Sequence, residues 1–162
     1  MMVPTPATAA DVPAVMLLIG RIFAEYGLLL MPAFEVPDLL RFDAHYAAPR
    51  GAFWVVRDET LRVVGSVGVD RKHETTAELK RLYVDASLRG RGIGQKLVET
   101  VLDWARDQGF ARVVLWSDTR FENSHRLYRR LGFTQLDERT VEGDINASRE
   151  YRFERDVWLE RP

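Results

Sequence analysis

The residues that point most directly to chemistry form a glycine-rich loop, Arg-Gly-Arg-Gly-Ile-Gly at positions 89–94. The loop lies between a predicted strand, residues 77–84, and a predicted amphipathic helix that Gly109 ends. Glycine tolerates positive φ and lets the main chain approach a ligand closely. The first turn of a helix adds unpaired N–H groups and a partial positive charge. The loop therefore predicts a site for a phosphate or a pyrophosphate.

Two common phosphate motifs do not fit this loop. A P-loop needs Gly-Lys followed by Ser or Thr, but Gly94 is followed by Gln95 and then Lys96. The dinucleotide fingerprint needs glycine at the position of Gln95. From the loop alone, a tight strand-to-helix turn that binds nothing stays an alternative.

The surrounding elements predict how the loop is positioned. Apolar residues at helical spacing indicate a helix over residues 9–26, with a capping-box-like start at Thr8, and a weaker helix over residues 38–46. The other predicted elements are strands over residues 53–57, 62–70, 77–84, 112–116, 133–139 and 149–159, and a short helix over residues 123–131. This order indicates one α/β domain over residues 1–162, with a central mixed sheet and helices on both faces.

The composition narrows the function classes. The chain has 162 residues, a formal net charge of −1 and 46% hydrophobic residues, so we expect no nucleic-acid or membrane partner. With no cysteine in the sequence, a disulfide, a cysteine metal site and an acyl-cysteine intermediate are excluded. We expect a cytoplasmic protein without a signal peptide, because the N-terminus lacks a basic segment followed by an apolar one.

Residues 78–133 resemble the GNAT superfamily of N-acetyltransferases. The pyrophosphate loop of that family reads Arg or Gln, two residues, Gly, one residue, then Gly or Ala, and Arg89, Gly92 and Gly94 fill these places. The strand at residues 77–84 is similar to the fourth strand of the family. Residues 123–133 are similar to its closing segment, in which an Asn precedes Leu-Tyr and then Gly-Phe.

The resemblance implies a fold and a cosubstrate. The expected sheet is mixed and mostly antiparallel, and its fourth and fifth strands splay apart around the pantetheine arm of acetyl-CoA. The main chain of Leu82, Tyr83 and Val84 would pair with that arm, and Asn123 would hydrogen-bond it. The residues that would surround the pyrophosphate are Arg89, Gly90, Arg91, Gly92, Ile93, Gly94 and Gln95.

The resemblance also implies two catalytic roles. Tyr128 matches the family's acid, which donates a proton to the departing thiolate of coenzyme A; the alternative is simple packing on a short helix. Glu78 matches the general base of one branch of the family, acting through a water; the alternative is a surface charge. By strand alternation, Glu78 is expected on the same face as Lys80, Leu82 and Val84, and Lys80 and Arg81 on opposite faces.

The predicted reaction is direct transfer of acetyl from acetyl-CoA to a primary amine, on a small molecule or on a protein. A non-catalytic acyl-CoA sensor is the alternative, and a homodimer is compatible with the sequence. We expect no metal site, since the three histidines lack metal-binding spacing. His125, three residues before Tyr128, is expected to face the cofactor or the solvent. Acceptor recognition is expected from the loops at residues 27–37 and 142–148.

Overall fold

Seven strands form one sheet within residues 2–161, the range that the computed structural model describes. In chain order they are β1 Thr5–Pro6, β2 Gly51–Arg57, β3 Val63–His73, β4 Thr76–Val84, β5 Arg112–Asp118, β6 Thr134–Thr140 and β7 Arg149–Asp156. Across the sheet the order is β1-β2-β3-β4-β5-β7-β6; β4 and β5 are parallel, and the other neighbours in this range are antiparallel. The predicted mixed, mostly antiparallel α/β fold is confirmed.

The helices agree with the predictions except in one loop. In the described range they are α1 Val12–Glu25, α2 Pro32–Glu35, α3 Phe42–Tyr46, α4 Ile93–Asp107 and α5 Glu122–Arg130. A 3₁₀ turn leads into α1, and Thr8 and Asp11 form the capping box at its start. The sequence did not predict α2, because a single four-residue turn is too short to show helical periodicity.

Helices cover both faces because strand side chains alternate between them. On one face, Val55 of β2 packs in a core with Leu18 and Ile19 of α1. On the other face, Val56 packs in a second core with Leu97 of α4. A fully buried apolar side chain of this size is worth about 1.5–3 kcal/mol relative to an exposed one. The two cores therefore hold α1 and α4 on opposite faces of the sheet, beside the carboxyl-terminal end of β4, which we call its outer end.

The parallel pair of strands is short. Pairing of β4 with β5 runs from Thr76–Arg112 to Glu78–Val114 and then stops. Beyond Glu78, β4 continues to Val84 with no pairing partner on that side among residues 2–161. This is the separation of the fourth and fifth strands that the resemblance implied. It opens a gap between β4 and β5 towards their carboxyl ends.

A bulge in β4 changes which face each side chain takes. Lys80 pairs with Gly68 but Tyr83 pairs with Ser66, so two residues of β4 stand opposite Val67. Arg81 absorbs the extra length with a left-handed φ of 58°.

The bulge overturns the alternation predicted for this strand. Leu82 and Val84 pack on the core beside α4, whereas Tyr83 packs on the core beside α1. Glu78 and Lys80 precede the bulge and share the face of Tyr83, so the prediction that they share the face of Leu82 and Val84 was wrong. The prediction that Lys80 and Arg81 take opposite faces was also wrong, because both reach carboxylates on the α1 side.

Candidate active site

A groove of about 550 Å³ follows the glycine loop between β4, α4 and α5. Of the cofactor residues predicted from the sequence, all except the exposed Arg91 line this groove. Leu82, Tyr83 and Val84 form one wall, and Asn123 of α5 lies on another. The structure thus brings predicted residues separated by up to 41 positions, from Leu82 to Asn123, around one space.

The glycine loop has the geometry of an anion site. Gly90 and Gly92 both have φ of +79°, and a Cβ built on either would meet no atom of residues 2–161 within 4 Å, its own chain neighbours aside. Gly92 caps α4 in the left-handed conformation, and no side chain caps that helix start. The first N–H groups of a 15-residue helix therefore face the groove without an intrahelical partner. Bare main chain and helix charge together suit a pyrophosphate.

Gly94 has a different reason to be glycine. A Cβ at this position would lie 3.1 Å from Cδ2 of Leu127, so the missing side chain lets α4 and α5 pack closely. The loop sequence does not separate this packing role from close approach to a ligand.

The positive charge of the groove does not come mainly from the loop arginines. Arg89 pairs with Glu25 of α1, 2.7 Å from Nη2 to Oε1, and its Nε donates to the carbonyl oxygen of Val84 at 3.2 Å. The hydrogen bond to Glu25 raises the pKa of Arg89, although partial burial opposes it. Arg89 therefore fastens the loop to α1 and β4.

Two arginines of α5 line the groove instead. Arg126 and Arg130 stand one helical turn apart on the same face as Asn123, whose Oδ1 accepts a hydrogen bond from Arg126. Sequence reasoning missed both arginines, although their spacing of four residues was a usable signal.

A second cavity, of about 270 Å³, meets the groove at the outer end of β4. The two spaces share four lining residues, Leu82, Tyr83, Phe121 and Ser124. The second cavity also contains both predicted catalytic residues, Glu78 and Tyr128.

Tyr128 is buried among aromatic rings but reaches the second cavity. Its ring packs against Phe133 and Phe153, at centroid distances of 5.7 and 5.3 Å, and only 4% of the residue is exposed. Burial raises its pKa above the ordinary value, and the nearby Tyr83 adds to the shift. Burial likewise raises the pKa of Tyr83 to about 12. Both hydroxyls therefore stay protonated across the physiological pH range.

Glu78 lies at the point where β4 and β5 part. Its side chain is 18% exposed, and Oε1 lies 3.5 Å from Nζ of Lys72. The carboxylate is thus neither sealed in the core nor fully solvated, and water can reach it through the cavity that it shares with Tyr128.

Glu35 is a cavity residue that sequence reasoning did not find. It belongs to α2, and burial together with a hydrogen bond to Asp144 raises its pKa to about 7. The two carboxyl groups come from loops more than 100 residues apart, so no local sequence signal linked them.

A buried ion pair between Asp38 and Arg81 holds the bulge of β4. Asp38 accepts hydrogen bonds from Arg81, Nη2 to Oδ1 at 2.5 Å and Nε to Oδ2 at 3.1 Å, and a further one from the hydroxyl of Tyr46. Burial disfavours the charge of Asp38, but the hydrogen bonds and charge of Arg81 outweigh it and hold the pKa of Asp38 below 3.8. The left-handed Arg81 is thereby fixed at the second cavity, directly before Leu82, which lines both cavities.

This geometry can be compared with known proteins. The profile of the Acetyltransferase (GNAT) family matches residues 21–133. The chain belongs to the GNAT family of acetyltransferases. The matched range contains the glycine loop, β4 and α5, so the family assignment and the groove rest on the same part of the chain.

Relatives by sequence include proteins that are named as N-acetyltransferases. The uncharacterized N-acetyltransferase YjgM of Escherichia coli is 33% identical over 135 residues, 80% of each chain. Human N-acetyltransferase 8 is 38% identical over 102 residues, which are 59% of this chain and 44% of the human protein. The N-acetylaspartate synthetase of Danio rerio is 35% identical over 103 residues, 62% of this chain and 36% of the fish protein. The chain therefore spans less than half of the last two relatives.

Solved GNAT structures share the fold at low identity. An acetyltransferase from Staphylococcus aureus Mu50 superposes with a TM-score of 0.84 at 19% identity, covering 97% of this chain and 99% of that one. The Salmonella typhimurium protein yncA, solved with its cofactor acetyl-CoA, gives a TM-score of 0.74 at 20% identity, covering 100% and 97%.

His125 lies in the core of this GNAT protein and does not line the groove. His125 was expected at the cofactor or in solvent, but it is 3% exposed, and its Nε2 lies 3.1 Å from Oγ of Ser117. Burial lowers its pKa, in keeping with a neutral ring stacked on Phe153. Among residues 2–161, no group of three His, Asp or Glu side chains is arranged to bind a metal ion. Within the same residues, no helix has the length and apolar character needed to cross a membrane.

Proposed function

We propose that this GNAT protein transfers the acetyl group of acetyl-CoA directly to a primary amine, with Glu78 as a base through water and Tyr128 as the acid. The observation that carries the proposal is the meeting of two cavities at the outer end of β4. One follows the glycine loop, and the other contains both Glu78 and Tyr128. The likeness in fold to yncA, solved with acetyl-CoA, supports the choice of cosubstrate. A single N-acetyltransferase domain and a cytoplasmic location stay predictions.

The groove residues fit acetyl-CoA by main chain and by charge. In the proposed complex, the amides of the loop and of the first turn of α4 bind the pyrophosphate, and Arg126 and Arg130 add positive charge. The unpaired edge of β4, at Leu82 to Val84, and the side chain of Asn123 bind the pantetheine arm. When bound, acetyl-CoA supplies its acetyl group as a thioester.

The acceptor must lose a proton before it attacks. An alkylamine has a pKa of about 10.4, so it arrives mostly as an ammonium ion near neutral pH, and only the neutral amine is a nucleophile. Glu78 accepts that proton through a water, which its partial exposure permits. The carbonyl carbon then binds the amine nitrogen, and main-chain N–H groups of β4 stabilise the oxyanion.

The last step is the departure of the thiolate. Tyr128 stays protonated because burial raises its pKa, so its hydroxyl is available as a donor. The same dry surroundings disfavour a free thiolate and raise the pKa of the thiol, which brings donor and acceptor closer. As the C–S bond breaks, proton transfer from Tyr128 to sulfur releases neutral coenzyme A, and the extra proton on the former amine nitrogen returns to Tyr128 to leave a neutral amide.

A screen of amines tests the proposal. Purified protein is mixed with acetyl-CoA and single primary amines, and release of the free thiol is followed. We expect acceptor-dependent release, together with mass spectra showing the acetylated amine. Acetyl-CoA binding without release for any amine, peptide or protein would support the alternative of an acyl-CoA sensor.

A further inference from the structure

The second cavity is covered by two loops that are bonded to each other. One is the connection at residues 27–37, which contains α2, and the other is the β6–β7 loop at residues 141–148. The side chain of Asn146 pairs with the main chain of Leu29: Nδ2 donates to the carbonyl oxygen at 2.8 Å, and Oδ1 accepts from the amide at 2.9 Å. Nδ2 also lies 3.3 Å from Oε1 of Glu35. We call this set of bonds, from Asn146 to Leu29 and Glu35, the latch.

The β6–β7 loop is itself held in shape, so the latch is preformed. Arg120 donates to the carbonyl oxygen of Asn146 at 2.6 Å and to the hydroxyl of Ser148 at 3.2 Å. Asp144 accepts from the amides of Asn146 and Ser148, each at 3.0 Å. The side chain of Asn146 is therefore aimed at Leu29 by a loop that is fixed at both ends.

The two latched loops also form the wall of the cavity. Leu28, Phe34 and Glu35 line it from one loop, and Val141 and Asp144 from the other. The bonds of the latch join these two parts of the wall, so an acceptor that extends beyond the cavity on this side would need the loops to separate. The volume, about 270 Å³, is just below the range of about 300–1,000 Å³ that is usual for ligand sites.

The charges of the cavity favour a small cation over an anion. Its basic side chains are neutralised by the protein: Lys80 lies 3.6 Å from Asp70 and Arg139 lies 2.8 Å from Glu150. Arg81 is paired with Asp38 in the same way. For Glu35 and Asp144, in contrast, no Lys, Arg or His nitrogen of residues 2–161 lies within 4 Å, so this pair keeps a negative charge even when Glu35 holds a proton.

We propose that the acceptor is a free, small polar amine, and that Asn146 is a positioning residue whose latch excludes amines on peptides and proteins. This inference rests on the proposed function, since it names the acceptor class of the same site. The proposed transfer chemistry is compatible with either class of acceptor, whereas this inference requires that free amines react in preference to peptides.

The first experiment compares two acceptor sets on the wild-type protein. One set is a panel of free primary amines, including ethanolamine, lysine amide and short diamines. The other is a set of nine-residue peptides with a free N-terminus and a central lysine. We expect the best free amine to exceed the best peptide by about tenfold or more in kcat/KM, as for a site that excludes a bulky competitor by contact.

The outcomes separate this inference from the proposed function. A peptide that matches or exceeds every free amine would overturn the inference and leave acetyl transfer intact. No thiol release in either set, with acetyl-CoA bound, would remove the proposed function, and the inference with it.

The second experiment opens the latch. Asn146→Ala removes both bonds to Leu29, so we expect the ratio of peptide to free-amine kcat/KM to rise by about tenfold. The KM for the free amine should rise more than kcat falls, and acetyl-CoA affinity should stay unchanged. Ile145→Ala is the matched control, because Ile145 is 61% exposed in the same loop and is not part of the latch.

A loss of folding is separated from a loss of selectivity by a second variant. Asn146→Asp keeps the shape of the side chain but sets an oxygen against the carbonyl oxygen of Leu29 and Oε1 of Glu35, so a rise in the ratio at least as large as that of Asn146→Ala is expected. If a folded Asn146→Ala or Asn146→Asp protein keeps the wild-type ratio and the wild-type KM, the latch does not select the acceptor and the inference is wrong.

Discussion

The two cavities that meet at Tyr83 and Phe121 are built from different kinds of group. The groove offers main chain, glycines and a helix terminus, which recognise a pyrophosphate without regard to most side chains. The second cavity is lined by ionisable and aromatic side chains that α2, β4, β5, α5 and the β6–β7 loop bring together. Side chains can change without altering the fold, so acceptor choice can vary while the groove stays constant.

The largest effect is expected on stability, when the ion pair that holds the bulge of β4 is removed. Asp38 is 4% exposed and compensates the guanidinium of Arg81, whose side chain is 21% exposed. Asp38→Ala leaves that charge without a partner, so we expect a loss of about 3 kcal/mol or more in the free energy of unfolding. Urea unfolding measures it.

A surface pair provides the control for Asp38. Asp137, 71% exposed, lies 3.3 Å from Arg152, so Asp137→Ala should cost about 1 kcal/mol or less. Equal losses in the two variants would show that Arg81 is solvated when its partner is gone.

A side chain at Gly92 should damage the groove and spare the cavity. Gly92→Val places a branched side chain where φ is +79° and where the pyrophosphate is proposed to bind. We expect acetyl-CoA affinity, measured by calorimetry, to fall by about 100-fold or more, because charge-assisted bonds to the loop amides are lost. The chain offers a matched control in Gly109→Val, which imposes a similar φ, +81°, at the other end of α4. Similar affinity losses in both variants would point to strain alone.

Removing the hydroxyl of Tyr128 should lower turnover without weakening the binding of acetyl-CoA. Tyr128→Phe keeps the buried ring and deletes the proposed proton donor, so kcat should fall by about 10²-fold, the usual scale of general acid catalysis. Acetyl-CoA affinity should barely change, since Tyr128 lines the second cavity and not the groove. Near-normal turnover, under conditions where chemistry limits the rate, would mean that water protonates the thiolate.

A smaller change is expected at Glu78. Glu78→Gln should lower turnover near neutral pH by about tenfold, since water still reaches the amine, and should remove the acidic limb of the pH–rate profile. Raising the pH should partly restore the rate by supplying free amine. Glu74→Gln, at an exposed position between β3 and β4, serves as the control. An acidic limb that keeps its midpoint in Glu78→Gln belongs to another group.

The smallest effect concerns Glu35 and pH. Burial and the hydrogen bond to Asp144 raise its pKa to about 7 from 4.5, so the folded protein holds this proton more tightly than the unfolded chain. The resulting stability is fully present below pH 4.5 and is lost as the pH rises through about 7. Glu35→Gln cannot ionise, so thermal melts between pH 5 and 8 should depend less on pH than those of the wild type. An unchanged slope would show that Glu35 does not hold the proton.

The sequence predicted the groove well because its determinants are local. Gly90, Gly92 and Asn123 belong to short motifs in which spacing along the chain fixes spacing in the fold. The order of the elements predicted the mixed sheet, and the resemblance to the GNAT family implied the separation of β4 from β5; the strand pairing confirms both.

The second cavity was predicted less well because its determinants meet only after folding. Glu35 and Asp144 are brought together from loops more than 100 residues apart, and neither loop has a periodic pattern. His125 was misplaced because a polar residue on a short helix gives no sign of its bond to Ser117 and its ring stacking on Phe153. The faces of Leu82 and Val84 were wrong because strand alternation assumes an unbroken ladder, which the bulge at Arg81 interrupts.

That bulge has a consequence for how this chain can change over evolutionary time. Because the bulge adds one residue to β4, Leu82, Tyr83 and Val84 each lie on the face opposite to the one that an unbroken ladder of the same residues would give them. Deleting Arg81 would make the ladder regular and leave Tyr83 facing α1 and Leu82 and Val84 facing α4, at the loss of the ion pair with Asp38. Inserting one residue between Lys80 and Tyr83 would instead turn Tyr83 towards α4 and Val84 towards α1. We therefore expect insertions in this short stretch to be eliminated even where point substitutions at the same positions survive, which an insertion scan of β4 would reveal.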